Sequence, residues 1–144
     1  MLTYYQMSKI WGIIATQAGH KYGISPSLIL AISKTESGGE YPYVSKDNRY
    51  GLMGVTEEMI QDSQKNTDGE IEDINAIYLQ PYYGFKVGAW WFQQLLAMFS
   101  EDDAIRAYSV GIQLAKTKID TGIKYLHQVR KHETEFKKLE TQHK

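Results

Sequence analysis

Glu36 is the residue whose setting most clearly invites chemistry. An apolar run from Leu28 to Ile32 leads into Ser33-Lys34-Thr35-Glu36-Ser37, and Gly38-Gly39 then halts it. A carboxyl at the end of a buried helix faces the negative end of the helix dipole and loses solvent. Both effects disfavour its charged form and raise its pKa. A carboxyl held protonated near neutral pH is what a general acid requires. The same heptapeptide also describes a surface glutamate ahead of an ordinary glycine stop, and alone it does not separate the two.

Other chemistries find little support. The chain has no cysteine, which excludes disulfides and thiolate catalysis. The four histidines, His20, His127, His132 and His143, form no metal-ligand pattern and are expected to be solvated. No glycine-rich phosphate loop is present. Lys131, Lys137 and Lys138 alternate with Glu133, Glu135 and Glu140, which predicts a solvated helix face, not a nucleic-acid patch. The formal net charge of −1 gives no field that would gather nucleic acid or anionic lipid. No cofactor and no metal are expected.

The elements that must position Glu36 are almost all helical. At 144 residues, 42% hydrophobic and 23% charged, the chain suits one domain with a real core. Met7, Ile10, Trp11, Ile14 and Ala18 recur at spacings of three and four, predicting an amphipathic helix over 3–20. Ser25-Pro26 opens a second helix that Gly38 and Gly39 close. Residues 39–55 carry the glycine, proline and asparagine of a loop or small β-hairpin. Thr56 caps a short helix, and the polar stretch 64–73 reads as a surface loop. Pro81 opens a long helix through Phe99, with Val87, Trp90, Trp91, Leu95 and Met98 or Phe99 on its apolar side. Adjacent tryptophans on a helix point about 100° apart, so at least one of Trp90 and Trp91 belongs to the core. Ser100 starts a helix over 104–110. A last helix has Ile123, Leu126, Val129, Phe136 and Leu139 along one side and a frayed, solvated end.

Five short motifs then fall in a telling order. Glu36-Ser37 is followed by Ser45 nine residues after the glutamate, then by Gly51-Leu52-Met53, Ala107-Tyr108-Ser109-Val110-Gly111 and Tyr125-Leu126. In this order and spacing the sequence resembles the soluble lytic transglycosylase family and its goose-type lysozyme relatives, over about residues 18–130. The resemblance implies a mainly α, lysozyme-like α+β fold. A helical bundle would surround a glycan-binding cleft, with at most a small β-hairpin, and residues 1–144 would form that one domain.

The implied activity is cleavage of the β-1,4 bond between MurNAc and GlcNAc in peptidoglycan, with formation of 1,6-anhydro-MurNAc. One glutamate, here Glu36, would protonate the leaving oxygen and then act as base on the C6 hydroxyl. The resemblance also assigns substrate-binding roles. Ser45 would bond the substrate's N-acetyl group or orient Glu36, or be a turn serine. Leu52 and Met53 would floor the sugar groove, the Tyr108 hydroxyl would lie close to Glu36, and Tyr125 would border the groove. Asp47 is the nearest second carboxylate, in the loop expected to face the cleft. Three departures stand out. Gly54 replaces the glutamine usual after Gly-Leu-Met, Ser109 replaces the asparagine of Ala-Tyr-Asn, and Gly84-Phe85 replaces the Asn-Ile pair before the glycine matched by Gly88. Two of the lost amides could hold substrate or loops, and the departures suggest a divergent phage branch.

The expected partner is the peptidoglycan glycan strand, met by a monomer with no membrane insertion. Residues 10–15 are apolar but too short to span a bilayer, and no secretion signal is evident. A wall-degrading enzyme of this kind would be an endolysin released through holes made by a partner protein, or a virion-carried enzyme. A removed leader is the other route. Two alternatives stay open: a hydrolytic goose-type muramidase that uses water at C1, and a non-catalytic glycan-binding relative.

Overall fold

The computed structural model describes residues 1–66 and 80–142, with side chains as far as Glu140. Helix α1 spans Tyr4–Tyr22 behind a capping box in which Thr3 and Gln6 satisfy each other's backbone N–H groups. Helix α2 spans Pro26–Ser37. Ser25 holds its N-cap position and Pro26 its first turn, although the Ser25 side chain makes no capping bond. Gly38, at φ 67°, ends it in the left-handed conformation, where a glycine meets no steric penalty. Helix α3 is Glu57–Asn66, capped by the Thr56 hydroxyl, which accepts from the Met59 N–H at 3.2 Å.

Helix α4 runs Pro81–Leu96, shorter than the expected reach to Phe99. Ala97 and Met98 form a turn that hands the chain to Ser100, whose hydroxyl accepts from the Asp103 N–H and caps α5, Glu101–Val110. Helix α6, Ile112–Thr117, was not expected. Gly111, at φ 91° and ψ 162°, ends α5 and lets the chain restart at an angle. Helix α7 is Ile123–Gln142. The predicted loop over 64–73 begins as helix to Asn66, and the rest of it lies outside the described residues. The predicted hairpin is reduced to two isolated bridges, Val44 with Tyr50 and Tyr50 with Val55. The expected mainly helical fold class is thus observed among the described residues.

Helix α2 sits at the centre. Leu28, Ile29, Leu30, Ala31 and Ile32 are all buried, because α1 covers one flank and α7 the other. Each such leucine or isoleucine contributes about 1.5–3 kcal/mol of apolar burial. From α7, Val129 and Phe136 enter the same core, Leu126 packs at its edge, and Ile123 is exposed instead of lining it. Of the α1 positions, Met7 and Ala18 are buried and Ile10 is exposed. Trp90 is buried, Phe99 packs on the core, and Met98 faces solvent. No described helix is long and apolar enough to cross a membrane.

The end of α7 departs from the expected solvated face. Lys131, Lys137 and Lys138 are exposed, but Glu133 is buried, its carboxylate accepting from Arg130 Nη1 at 2.9 Å. Arg130 also pairs with Glu101 at 2.7 Å and Asp102 at 2.6 Å. One guanidinium thereby ties α7 to the acidic first turn of α5. His132 is half-buried, its Nδ1 2.8 Å from the Tyr4 hydroxyl, so it too is not simply solvated.

Candidate active site

The loop after α2 is folded back onto that helix by the residue that follows Glu36. Ser37 is buried, its Oγ 2.9 Å from the Leu52 carbonyl and 3.0 Å from the Ser33 carbonyl, and it accepts from the Gly39 N–H at 3.2 Å. The adjacent Met53 carbonyl accepts from the Tyr108 hydroxyl at 2.7 Å. Two side chains, one from α2 and one from α5, thus pin consecutive carbonyls of the Gly51-Leu52-Met53 turn. Leu52 and Met53 are themselves fully buried, with Met53 packed in the space that Gly88 of α4 leaves open. They are core, and the expectation that their side chains floor a sugar groove is corrected accordingly.

Glu36 lies against this turn. Its side chain is 11% exposed. Burial holds its carboxyl above the ordinary value of 4.5, with Arg49 and Tyr125 pulling the other way. The Tyr125 hydroxyl, from the first turn of α7, donates to Oε2 at 3.1 Å. Burial and then the Glu36 charge push the Tyr125 pKa well up, so that hydroxyl keeps its proton. The tyrosine that reaches Glu36 is therefore Tyr125, not Tyr108. The Tyr108 hydroxyl is fully buried and spent on the Met53 carbonyl, an acceptor that would otherwise be orphaned.

Arg49 is the site residue that the sequence pattern did not single out. Ser45 presents it: the Ser45 Oγ accepts from the Arg49 N–H at 3.1 Å, and the Ser45 N–H donates to the Arg49 carbonyl at 2.9 Å. Ser45 is thus a turn serine. The Arg49 guanidinium stands 3.5 Å from Glu36 Oε2 and donates to the Gly54 carbonyl at 3.2 Å and the Ser109 carbonyl at 2.9 Å. Asp47, in the same turn, is exposed. Only the basic side chain among the polar Asp47-Asn48-Arg49 cluster could have flagged this position, and the cluster reads as ordinary turn chemistry.

A second arginine works at a distance. Arg106 is 2% exposed on α5. Its Nε donates to the Thr121 carbonyl at 2.6 Å, Nη2 donates to the Lys118 carbonyl at 2.9 Å, and Nη1 pairs with Asp103 at 2.8 Å. It fastens the segment just before α7 and so fixes where Tyr125 stands. Beyond Arg49 opens a groove of about 420 Å³ between α3, α5 and α6, lined among others by Thr56, Glu58, Trp91, Tyr108 and Gln113. Trp91 is the half-buried member of the tryptophan pair.

The family model for the transglycosylase SLT domain matches residues 13–128. The chain belongs to that family. Over 45 residues, 31% of this chain and 22% of the relative, it is 47% identical to an endo-type membrane-bound lytic murein transglycosylase A of Cronobacter sakazakii. Its counterpart in an Enterobacter species is 51% identical over 43 residues, covering 30% and 21% of the two chains. The chain thus spans about a fifth of the length of these curated relatives. A solved structure, an inactive mutant of the lytic transglycosylase Slt from Pseudomonas aeruginosa, superposes with a TM-score of 0.79 at 16% identity, over 91% of this chain and 24% of that one. The likeness to that structure establishes the transglycosylase SLT fold. The family membership rests on the sequence match.

Proposed function

We propose that this SLT domain is a peptidoglycan lytic transglycosylase that cleaves the MurNAc–GlcNAc β-1,4 bond and leaves 1,6-anhydro-MurNAc, with Glu36 as its acid and then its base. One observation carries the reading. Glu36 is a buried carboxyl whose charged form is disfavoured, yet a hydroxyl and a guanidinium wait beside it. The protonated carboxyl gives its proton to the leaving oxygen. The carboxylate so formed accepts from Tyr125 and faces Arg49, then takes the proton of the C6 hydroxyl as that oxygen bonds C1. Protons balance across the two steps, and no water is consumed. The groove beside Arg49, with Trp91 on its wall, offers the surface for the glycan strand.

A hydrolytic reading has one observation in its favour. Glu58 lines the same groove, and a second carboxylate is what a water-activating glycosidase requires. Mass spectrometry of digested peptidoglycan separates the two. Anhydro ends are expected, and reducing ends would overturn the transglycosylase reading. The absence of any cleavage would favour a glycan-binding relative. The proposed setting is an endolysin or virion-associated wall enzyme acting as a monomer. It rests on the departures at Gly54, Ser109 and Gly84-Phe85, and a host-lysis assay with and without a hole-forming partner tests it.

A further inference from the structure

Gly54 and Ser109 are two of the positions at which this chain lacks the family pattern's amides. They are also the two residues whose carbonyls Arg49 binds most closely. The same guanidinium stands at 3.5 Å from Glu36 Oε2. Gly54 makes the arrangement possible, since a Cβ there would fall 2.9 Å from Glu36 Cβ and Oε1. With no side chain at 54, the Glu36 carboxyl lies directly on the Gly51–Gly54 turn, and Arg49 reaches it from the segment just before that turn. We infer that Arg49 is the positioning residue of this site, one guanidinium that locks the Gly51–Gly54 turn, the end of α5 and the Glu36 carboxylate into one arrangement.

The argument is geometric and electrostatic together. A planar guanidinium presents five donors in a fixed fork, so it can hold two carbonyls and face a carboxylate at once. Arg49 is only 20% exposed, which limits solvent screening of the pair. Among the described residues, the groups facing Glu36 are Arg49 from the loop after α2, Tyr125 from α7, and Tyr108 from α5 through its charge coupling. Of these only Arg49 is cationic. It therefore favours the anionic form of Glu36, which exists between proton donation and proton return. This inference rests on the proposed reading for its role in catalysis, but the hold of Arg49 on Glu36 is measurable without turnover.

The test is a ¹³C titration of the Glu36 side-chain carboxyl, assigned by its loss in Glu36→Gln. In Arg49→Met the titration midpoint should rise by about one unit or more, since an adjacent opposite charge shifts a carboxylate by about 1–3 units. Arg49→Gln, which keeps planar donors for the Ser109 carbonyl, should show the same rise. Arg49→Lys should titrate near wild type. Any of the three that does not keep the wild-type circular dichroism spectrum is set aside in favour of the others. An unchanged midpoint in both neutral variants overturns the inference. In wall digestion, the alkaline limb of kcat/KM should move up by the same amount in the neutral variants, while Arg49→Lys lowers kcat about tenfold with KM little changed. A shifted titration with a wild-type protein that cuts no peptidoglycan would sink the proposed function and leave the Arg49–Glu36 coupling standing.

Discussion

A Cβ on Gly54 would lie 2.9 Å from the Cβ of Glu36, so the glutamate occupies the space of a missing side chain. Gly54 also has φ 58°, a left-handed conformation that costs an ordinary residue about 1 kcal/mol or more. Gly54→Ala therefore meets two penalties at once. It should lower stability by about 1–3 kcal/mol and displace the Glu36 carboxyl, cutting wall digestion at least tenfold. Melting temperature and digestion rate on one sample check both. A stable and fully active Gly54→Ala protein would show that the turn relaxes without cost to Glu36.

The two tyrosines should separate cleanly. Tyr125→Phe removes the donor to Glu36 Oε2, and the loss of one preorganised donor is expected to cost about 10- to 1,000-fold in rate. Tyr108→Phe leaves the buried Met53 carbonyl unpaired, and should cost about 1–3 kcal/mol of stability with a much smaller loss of turnover. Denaturant unfolding and single-substrate kinetics on both variants make the comparison. The reverse ranking would return Tyr108 to the catalytic role that the sequence resemblance gives it.

Glu36 also predicts a pH dependence of stability. Its pKa is raised in the folded state above the ordinary value of 4.5, so the folded protein binds more protons than the unfolded one as pH rises through that window. Stability is then lost between the unfolded and folded pKa values and stays lost above them. Glu36→Gln has no such proton to lose. Relative to wild type it should gain stability from about pH 4.5 upward and level off once the folded group has titrated. Denaturant midpoints of the pair at pH 4, 6 and 8 measure this, and parallel curves would contradict the raised pKa. The same variant should lose activity by about 10²-fold or more, the usual worth of acid–base catalysis.

Arg106→Met should destabilise the protein by about 2 kcal/mol or more, because several buried carbonyls near Lys118 and Thr121 lose their donor. For a chain of this size that lowers Tm by roughly 5–10 °C. It should also weaken Tyr125's hold on Glu36, visible as a drop in kcat at temperatures well below Tm. Unchanged kcat would confine Arg106 to stability.

The helices were legible because their stops and starts are written locally. Thr3, Pro26, Gly38, Thr56, Pro81 and Ser100 each mark an end through their own backbone chemistry. Glu36 was singled out by the order and spacing of the five motifs around it, since the apolar run ahead of it describes a surface glutamate equally well. Arg49 and Arg106 were not, since an arginine in a turn or on a helix looks solvated until the carbonyls that need it are in place. Those carbonyls come from residues up to 60 positions away. The exchange between Tyr108 and Tyr125 was hidden for the same reason. Both tyrosines flank the site, and only the packing of α5 and α7 decides which hydroxyl meets the carboxyl. Helix α6 was missed because six residues carry too little periodicity to register.

The central helix α2 draws much of its cover from α7, roughly ninety residues later. During synthesis at about 5–20 residues per second, α2 must wait several seconds for that cover. Over that interval its apolar surface is open to chaperones and to other nascent chains. The bond that completes the site, Tyr125 to Glu36, spans 89 positions and forms only when α7 docks. The same docking event that hides the apolar surface therefore also completes the surroundings of Glu36, so on the proposed reading the nascent chain gains its full site only with α7 in place.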